Sequence, residues 1–183
     1  MIITGGKLRS RKLRPIRGSS LRPTSNKVKQ AIFNVLGSQL SGAKVLDLFA
    51  GTGSLGIEAL SRGAEFCTFI DNSSQSLNLI QKNLEHLDLF RNARTFLTDL
   101  HKPFRSLFAE QKFDLIFADP PYHLEIPDYF FMEVRSLLNS MGILVFEYSR
   151  RNFPRYGDQR FNCWKKKLYG DTGILFLNSP VLT

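Results

Sequence analysis

"VLDLFAGTGSLG", residues 45–56, decides the fold. An apolar run that carries one acid, Asp47, passes through Gly51, Gly53 and Gly56, and a helical pattern, "SLGIEALSR" (54–62), begins inside the glycines. A strand that turns through glycines into a helix opens a βαβ unit. The same alternation continues downstream. "EFCTFID" (65–71), "ARTFLT" (93–98), "FDLIFAD" (113–119) and "GILVFEY" (142–148) read as strands. "SQSLNLIQKNLEHL" (74–87), a short irregular stretch near Phe104 and a segment within 126–139 read as helices. Strands and helices in strict turn, with short connections, predict an α/β fold whose parallel sheet is wrapped by helices. The last third departs from that rule. "RFNCWKKKLYGDTGILFLN" (160–178) reads as two strands joined around Gly170, an antiparallel hairpin at one edge of the sheet.

Upstream, "IITGGKLRSRKLRP" (2–15) has short alternating pieces around Gly5 and Gly6, predicting a hairpin or extended arm with its arginines outward. "RPTSNKVKQAIFNVLG" (22–37) reads as a helix: Thr24 or Ser25 caps it, Val28, Ile32, Phe33 and Leu36 form its stripe, and Gly37 ends it. At 183 residues the chain has the size of one α/β domain with a small appendage. The expected division is a basic arm and docking helix over 1–40 and a catalytic domain over 41–183.

The charge is unevenly placed. Residues 1–46 hold ten Lys or Arg and no acid, residues 47–149 hold eight basic and fourteen acidic residues, and residues 150–183 hold seven and two. An acid-free segment this rich in Arg and Gly predicts a polyanion partner, and nucleic acid fits better than a membrane surface because no amphipathic helix joins these charges to an apolar face. No apolar run is long enough to cross a bilayer and no signal-type stretch leads the chain, which predicts a soluble, cytoplasmic protein. Cys67 and Cys163 lie far apart with no ligand-type spacing, so neither a metal site nor a disulfide framework is expected.

In sheets of this kind, ligands bind beyond the carboxyl ends of the strands. Four such ends carry acids: Asp47, Asp71, Asp99 and Asp119. The glycine spacing matches a dinucleotide loop, but Asp47 would then face the ligand's pyrophosphate at a helix N-terminus and oppose it. A cationic ligand suits the site better. S-adenosylmethionine brings an ammonium and a sulfonium, with ribose hydroxyls for Asp71 and an adenine amine for Asp99, unless Asp99 is instead the N-cap of the segment that follows it.

"FADPPY" (117–122) completes the reading. Two prolines fix φ and remove two donors, so the carbonyls before them point outward as acceptors. An exocyclic nucleobase amine is a poor nucleophile and must be held in line with the methyl donor. Asp119 and the Pro120 carbonyl can each accept one N–H bond, and Tyr122 can stack on the base. An aspartate, with an ordinary pKa of about 3.9, is too weak to deprotonate the amine beforehand. It suffices once alkylation has made the nitrogen acidic.

"DLFAGTG" followed by "FADPPY" is similar to the class I S-adenosylmethionine-dependent methyltransferases that act on exocyclic amines, over Lys44 to about Tyr148. With "IITGGKLRSRKL", "LRPTSNKVKQAIFNVLG" and "LDLFAGTGSLGIEALSRGA" in the same order, nearly the whole chain resembles the RsmD family of bacterial 16S rRNA guanine-N2 methyltransferases. The resemblance implies a Rossmann-like, seven-stranded sheet with a hairpin near its C-terminal edge, S-adenosyl-L-methionine as cofactor, and 16S rRNA in an assembling small subunit as partner. It implies cofactor contacts from Asp47, Phe49, Gly51, Gly53, Asp71, Asn72, Asp99 and Leu100, and a catalytic motif of Asp119, Pro120, Pro121 and Tyr122. RNA contacts are implied for Lys7, Arg9, Arg11, Lys12, Arg14, Arg22 and Lys27. Two positions depart from the family pattern: Ser10 stands where "RGR" usually has glycine, and Asn72 where a charged residue is common. The competing readings are adenine-N6 methylation of DNA, protein glutamine methylation and an inactive nucleic-acid-binding module. The first needs a separate duplex-reading domain, the second usually begins its motif with Asn, and the third does not need the intact acids.

Overall fold

The computed structural model describes residues 1–15, 25–121, 124–154, 156 and 161–179. Its centre is one sheet of seven strands: β1 (Lys44–Leu48), β2 (Phe66–Asp71), β3 (Ala93–Leu97), β4 (Phe113–Ala118), β5 (Leu138–Ser149), β6 (Asn162–Tyr169) and β7 (Thr172–Asn178). They lie in the order β3-β2-β1-β4-β5-β7-β6. The first five are parallel, and β7 runs antiparallel to both β5 and β6. This is the mixed sheet that the alternation and the edge hairpin predict. The strand order reverses between β1 and β4, so the carboxyl ends of β1, β2, β3 and β4 stand side by side along one edge.

Helices α1 (Asn26–Leu36), α2 (Ser54–Ser61) and α3 (Ser74–His86) cover one face, and α4 (Asp128–Leu137) covers the other with Phe104, Phe108 and Phe161. Local chemistry sets the ends of α1. Ser25 Oγ accepts from the Val28 N–H at 3.2 Å, and Gly37, with φ at 54°, lets its own N–H bond back to the Phe33 carbonyl. β5 is longer than the apolar run 142–148 predicts, because it starts directly where α4 ends and admits an irregularity opposite Phe113 and Leu115. Asp99 is not a helix cap. The segment after it is a 3-10 turn, Arg105–Phe108, that begins beyond its reach.

The N-terminal residues form the predicted hairpin. Ile2 bridges Lys12, the Ile3 N–H donates to the Arg11 carbonyl, and the Leu13 N–H donates to the Met1 carbonyl. Gly6 must be glycine: a Cβ there would sit 1.9 Å from the Ser61 carbonyl oxygen. Ser10 has φ at 69°, so the serine closes a turn in the conformation that its usual glycine adopts freely, at a cost of about 1 kcal/mol. The hairpin is part of the same core as the sheet, since Ile3 and Leu13 pack with α1, α2 and the strands beneath.

What fastens it is polar, with Glu58 and Lys29 fully buried at its centre. The Glu58 carboxylate, on α2, accepts from the Thr4 N–H at 2.8 Å, the Thr4 hydroxyl at 2.8 Å, Arg62 Nε at 2.9 Å and Lys29 Nζ at 3.2 Å. Lys29 Nζ also donates to the Ile2 carbonyl at 2.7 Å. Lys29 therefore belongs to the interior, although it counts among the ten basic residues that the sequence assigns to a polyanion surface. Burial alone pushes the Glu58 carboxyl up, but the Thr4 donors, Lys29 and Arg62 together outweigh it and hold the group below its ordinary value. Burial lowers Lys29, against the pull of Glu58. The two shifts favour opposite charge states for the pair. Four donors on one carboxylate decide for the ionised form.

Glu58→Ala leaves the Lys29 ammonium buried without its counter-charge and is expected to cost about 3–5 kcal/mol in denaturant unfolding. Because the folded carboxyl is the more acidic, its contribution is complete above its unfolded value of 4.5 and fades as pH falls through the folded value. The variant should lose that acid-side dependence, and an unaltered acid limb in a pH series would contradict the clamp.

Candidate active site

The glycine loop leaves β1 through Asp47, whose side chain is 2% exposed. Its Oδ2 accepts from the Gly56 N–H at 2.9 Å, in the first turn of α2. Gly53 occupies the N-cap position and brings no side chain to cap the helix, so Asp47 supplies the missing acceptor from the strand below. Burial pushes its carboxyl well above the ordinary range. The Gly56 N–H opposes the rise, and the neighbouring Asp119 and Asp71 add to it. Three of the predicted acids thus stand at the neighbouring ends of β1, β2 and β4.

Asp71 holds the loop from the second strand. Its Oδ2 accepts from the Gly51 N–H at 2.8 Å and its Oδ1 from the Ser73 N–H at 2.9 Å. Between these anchors the backbone is forced: Phe49 has φ at 57°, Gly51 at 54° and Gly53 at 73°. A Cβ on Gly51 would meet nothing closer than 3.9 Å, so that glycine serves the turn and leaves open space above it. Gly56 serves packing instead, because a Cβ there would lie 2.3 Å from the Phe69 ring. Phe49 holds its strained conformation with its ring 5.9 Å from Phe130 of α4, which ties the loop to the opposite face of the sheet.

Asp99 follows β3 with a half-exposed carboxylate. Its Oδ1 accepts from the His101 N–H at 3.0 Å and meets His101 Nδ1 at the same distance, and these contacts hold it below the usual carboxylate range. Asn72 is exposed beside Asp71. Leu100 is 4% exposed and lies in the α4-side core. Asp119 is half-buried at the end of β4, Pro120 is buried, and Pro121 is exposed with its carbonyl accepting from the Leu124 N–H at 2.8 Å. Tyr122 lies outside the described residues, as does Arg22.

Lys7, Arg9, Arg11, Lys12, Arg14 and Lys27 are all exposed. The hairpin spans the length of α2: Met1 Sδ meets the Thr52 hydroxyl in the glycine loop, while the Lys7 N–H donates to the Ser61 carbonyl at the far end of the helix. Sequence reasoning missed Glu58 and Lys29. Only the fold reveals them: α2 is buried at every position, and a carboxylate in such a helix must have partners.

The family described as Conserved hypothetical protein 95 matches residues 1–178. The Bacillus subtilis protein YlbH is 37% identical over 95% of this chain and 96% of its own length. Ribosomal RNA small subunit methyltransferase D of Escherichia coli is 36% identical over 79% of this chain and 70% of its own. The solved structure of Escherichia coli yhhF superposes with a TM-score of 0.83 at 28% identity, covering 98% of this chain and 97% of that one. With its sheet order, its glycine loop and its acid-bearing strand ends, the chain belongs to this family, the RsmD methyltransferases, and has their Rossmann-like fold.

Proposed function

We propose that this protein transfers a methyl group from S-adenosyl-L-methionine to the exocyclic N2 amine of a guanine in 16S rRNA of the small ribosomal subunit. The observation that carries the reading is the placement of Asp47, Asp71 and Asp119 at the carboxyl ends of the adjacent strands β1, β2 and β4, beside a glycine loop with open space above Gly51. Acids at three neighbouring strand ends suit a ligand that carries positive charge. Bound S-adenosylmethionine supplies an electrophilic methyl on a cationic sulfur. Asp47 and Asp71 fix the loop that receives the methionine and ribose parts, and Asp99, one strand further out, faces the adenine end. Among the described residues no cluster of His, Cys, Asp and Glu could hold a metal, and the chemistry proposed calls for none.

Asp119 and the Pro120 carbonyl hold the two amine hydrogens, so the nitrogen lone pair points at the methyl donor. Asp119 then takes the proton that the alkylated nitrogen releases. Tyr122 stacks on the base. The hairpin, with Arg9 and Arg11, holds RNA phosphates, and an assembling small subunit in the cytoplasm is the proposed setting. On this reading residues 1–40 serve substrate binding and 41–183 the transfer.

Labelled methyl transfer to 16S rRNA, followed by nucleoside analysis, is expected to yield N2-methylguanosine; label in N6-methyladenine of duplex DNA would overturn the substrate. Asp119→Ala should remove turnover and leave S-adenosylmethionine affinity nearly unchanged, and retained turnover would refute its role. Arg9→Ala with Arg11→Ala should weaken RNA binding and shallow its salt slope by about 0.7–0.9 for each phosphate no longer neutralised. A cationic ligand must also draw Asp47 back toward its charged form. Calorimetry in buffers of different ionisation heat should therefore show proton release on S-adenosylmethionine binding, with affinity rising as pH rises through the raised Asp47 value. Buffer-independent heats would contradict it.

A further inference from the structure

A second basic stretch of the chain begins after Ser149. β4 and β5 last pair at Ala118 and Phe146, but β5 continues through Glu147, Tyr148 and Ser149, paired there only with β7. Three further residues raise this part of the sheet by about 10 Å beyond the end of β4. The catalytic edge is therefore bordered by a rim, made of the end of β5, the β6–β7 turn and the segment after Ser149.

The rim is built and basic. The Arg150 N–H donates to the Asp171 carbonyl at 2.8 Å, and Arg150 Nη1 to the Gly170 carbonyl at 3.3 Å, which closes the segment onto the turn. Phe153 is 49% exposed. Its ring packs against Tyr148 at 5.1 Å between centroids, nearly perpendicular, and against Tyr156 at 6.0 Å. Tyr148 itself lies closely on Gly173, where a Cβ would come within 2.1 Å of its ring. Lys166 Nζ stands 4.8 Å from the centroid of the Phe153 ring. Among the described residues neither Arg150, Arg151 nor Lys166 is ion-paired with a carboxylate. Lysine on β6 alone has a sufficient explanation as protection of an edge strand. Arg150, Arg151 and the exposed Phe153 are not on an edge strand, and that explanation does not reach them.

We propose that Arg150, Arg151, Phe153 and Lys166 form a binding surface for single-stranded RNA, which holds the nucleotides flanking the target base. This rests on the functional reading above. A base taken out of its stack leaves unstacked neighbours and a displaced backbone. Phe153 offers one of those neighbours a fixed aromatic face, and the three cations take the phosphates on either side. RNA is thus held on both flanks of the acidic edge, by the hairpin on the α2 side and by the rim on the β5 side.

The test compares wild-type protein with Phe153→Ala, Phe153→Tyr and Arg150→Ala/Arg151→Ala, on naked 16S rRNA and on 30S subunits, by methyl-transfer kinetics and by RNA binding across a salt series. The expected result is a KM for 16S rRNA raised roughly fivefold or more for Phe153→Ala, with kcat and S-adenosylmethionine affinity unchanged and with Phe153→Tyr restoring the KM. The double variant should shallow the salt slope by about 0.7 for each phosphate that its arginines no longer neutralise. Unchanged KM and slope in folded variants would overturn the proposal. A KM effect confined to 30S subunits would also overturn it, by assigning the rim to a ribosomal protein. Absence of methyl transfer by wild-type protein would overturn the functional reading alone, because the binding and salt-slope measurements decide the rim independently.

Discussion

The bond from the Gly56 N–H to the buried Asp47 carboxylate is the interaction on which the rest depends. α2 begins on a glycine cap with no side-chain acceptor, and every residue of the helix is buried, so water cannot satisfy its first turn. Asp47 satisfies it from inside the sheet. In doing so it fixes the height and direction of α2, and with them the path of the glycine loop. Asp71 then pins the same loop from the next strand, and the strain at Phe49 is held between the two anchors. The carboxylates that make the edge acidic are thus also the ones that give it shape.

α2 passes that order on. Its Glu58 gathers Thr4, Lys29 and Arg62, and joins the N-terminal hairpin, α1 and α2 in one buried polar knot. A buried ionic cluster is a weak source of net stability against an apolar alternative, but removal of one member is costly. What the cluster gives is register. The hairpin has little apolar surface of its own, and Ile3 and Leu13 find their places in the core because Thr4, beside Ile3 in the chain, is fixed to the helix. The proposed RNA arm is thus fixed to the same helix, α2, that Asp47 holds at its other end.

These dependencies explain what could be read from the residues alone. Strand ends that carry acids, glycines between a strand and a helix, and a helix capped by Ser25 and ended by Gly37 are local patterns, set by backbone conformation within a few residues. The seven strands and the row of acids at their carboxyl ends were legible for that reason. Lys29 was not, because its burial is decided by Glu58 and by the Ile2 carbonyl, partners 29 and 27 residues away that only the folded chain brings to it. The length of β5 was hidden for a related reason: "LNSM" has no strand periodicity, and it is extended because α4 ends directly into it. Nor could a sequence show that Ser10 adopts a glycine-type conformation, though a glycine-based motif marks the place.

The distribution of charge follows from the same geometry. Acids dominate residues 47–149 and bases dominate both ends of the chain, and the fold sets four of those acids, Asp47, Asp71, Asp99 and Asp119, along the carboxyl edge of the sheet. A phosphate that approaches this edge meets the half-buried Asp119 and the half-exposed Asp99 and is repelled; a cation or a neutral base edge is not. On the reading proposed above, phosphates are drawn instead to the hairpin on one side and the rim on the other. The arrangement separates the two halves of a nucleotide, with its backbone held outside and its base admitted. That separation is what extrusion of a base from a stack requires, and here it arises from electrostatics before any base-specific contact is made.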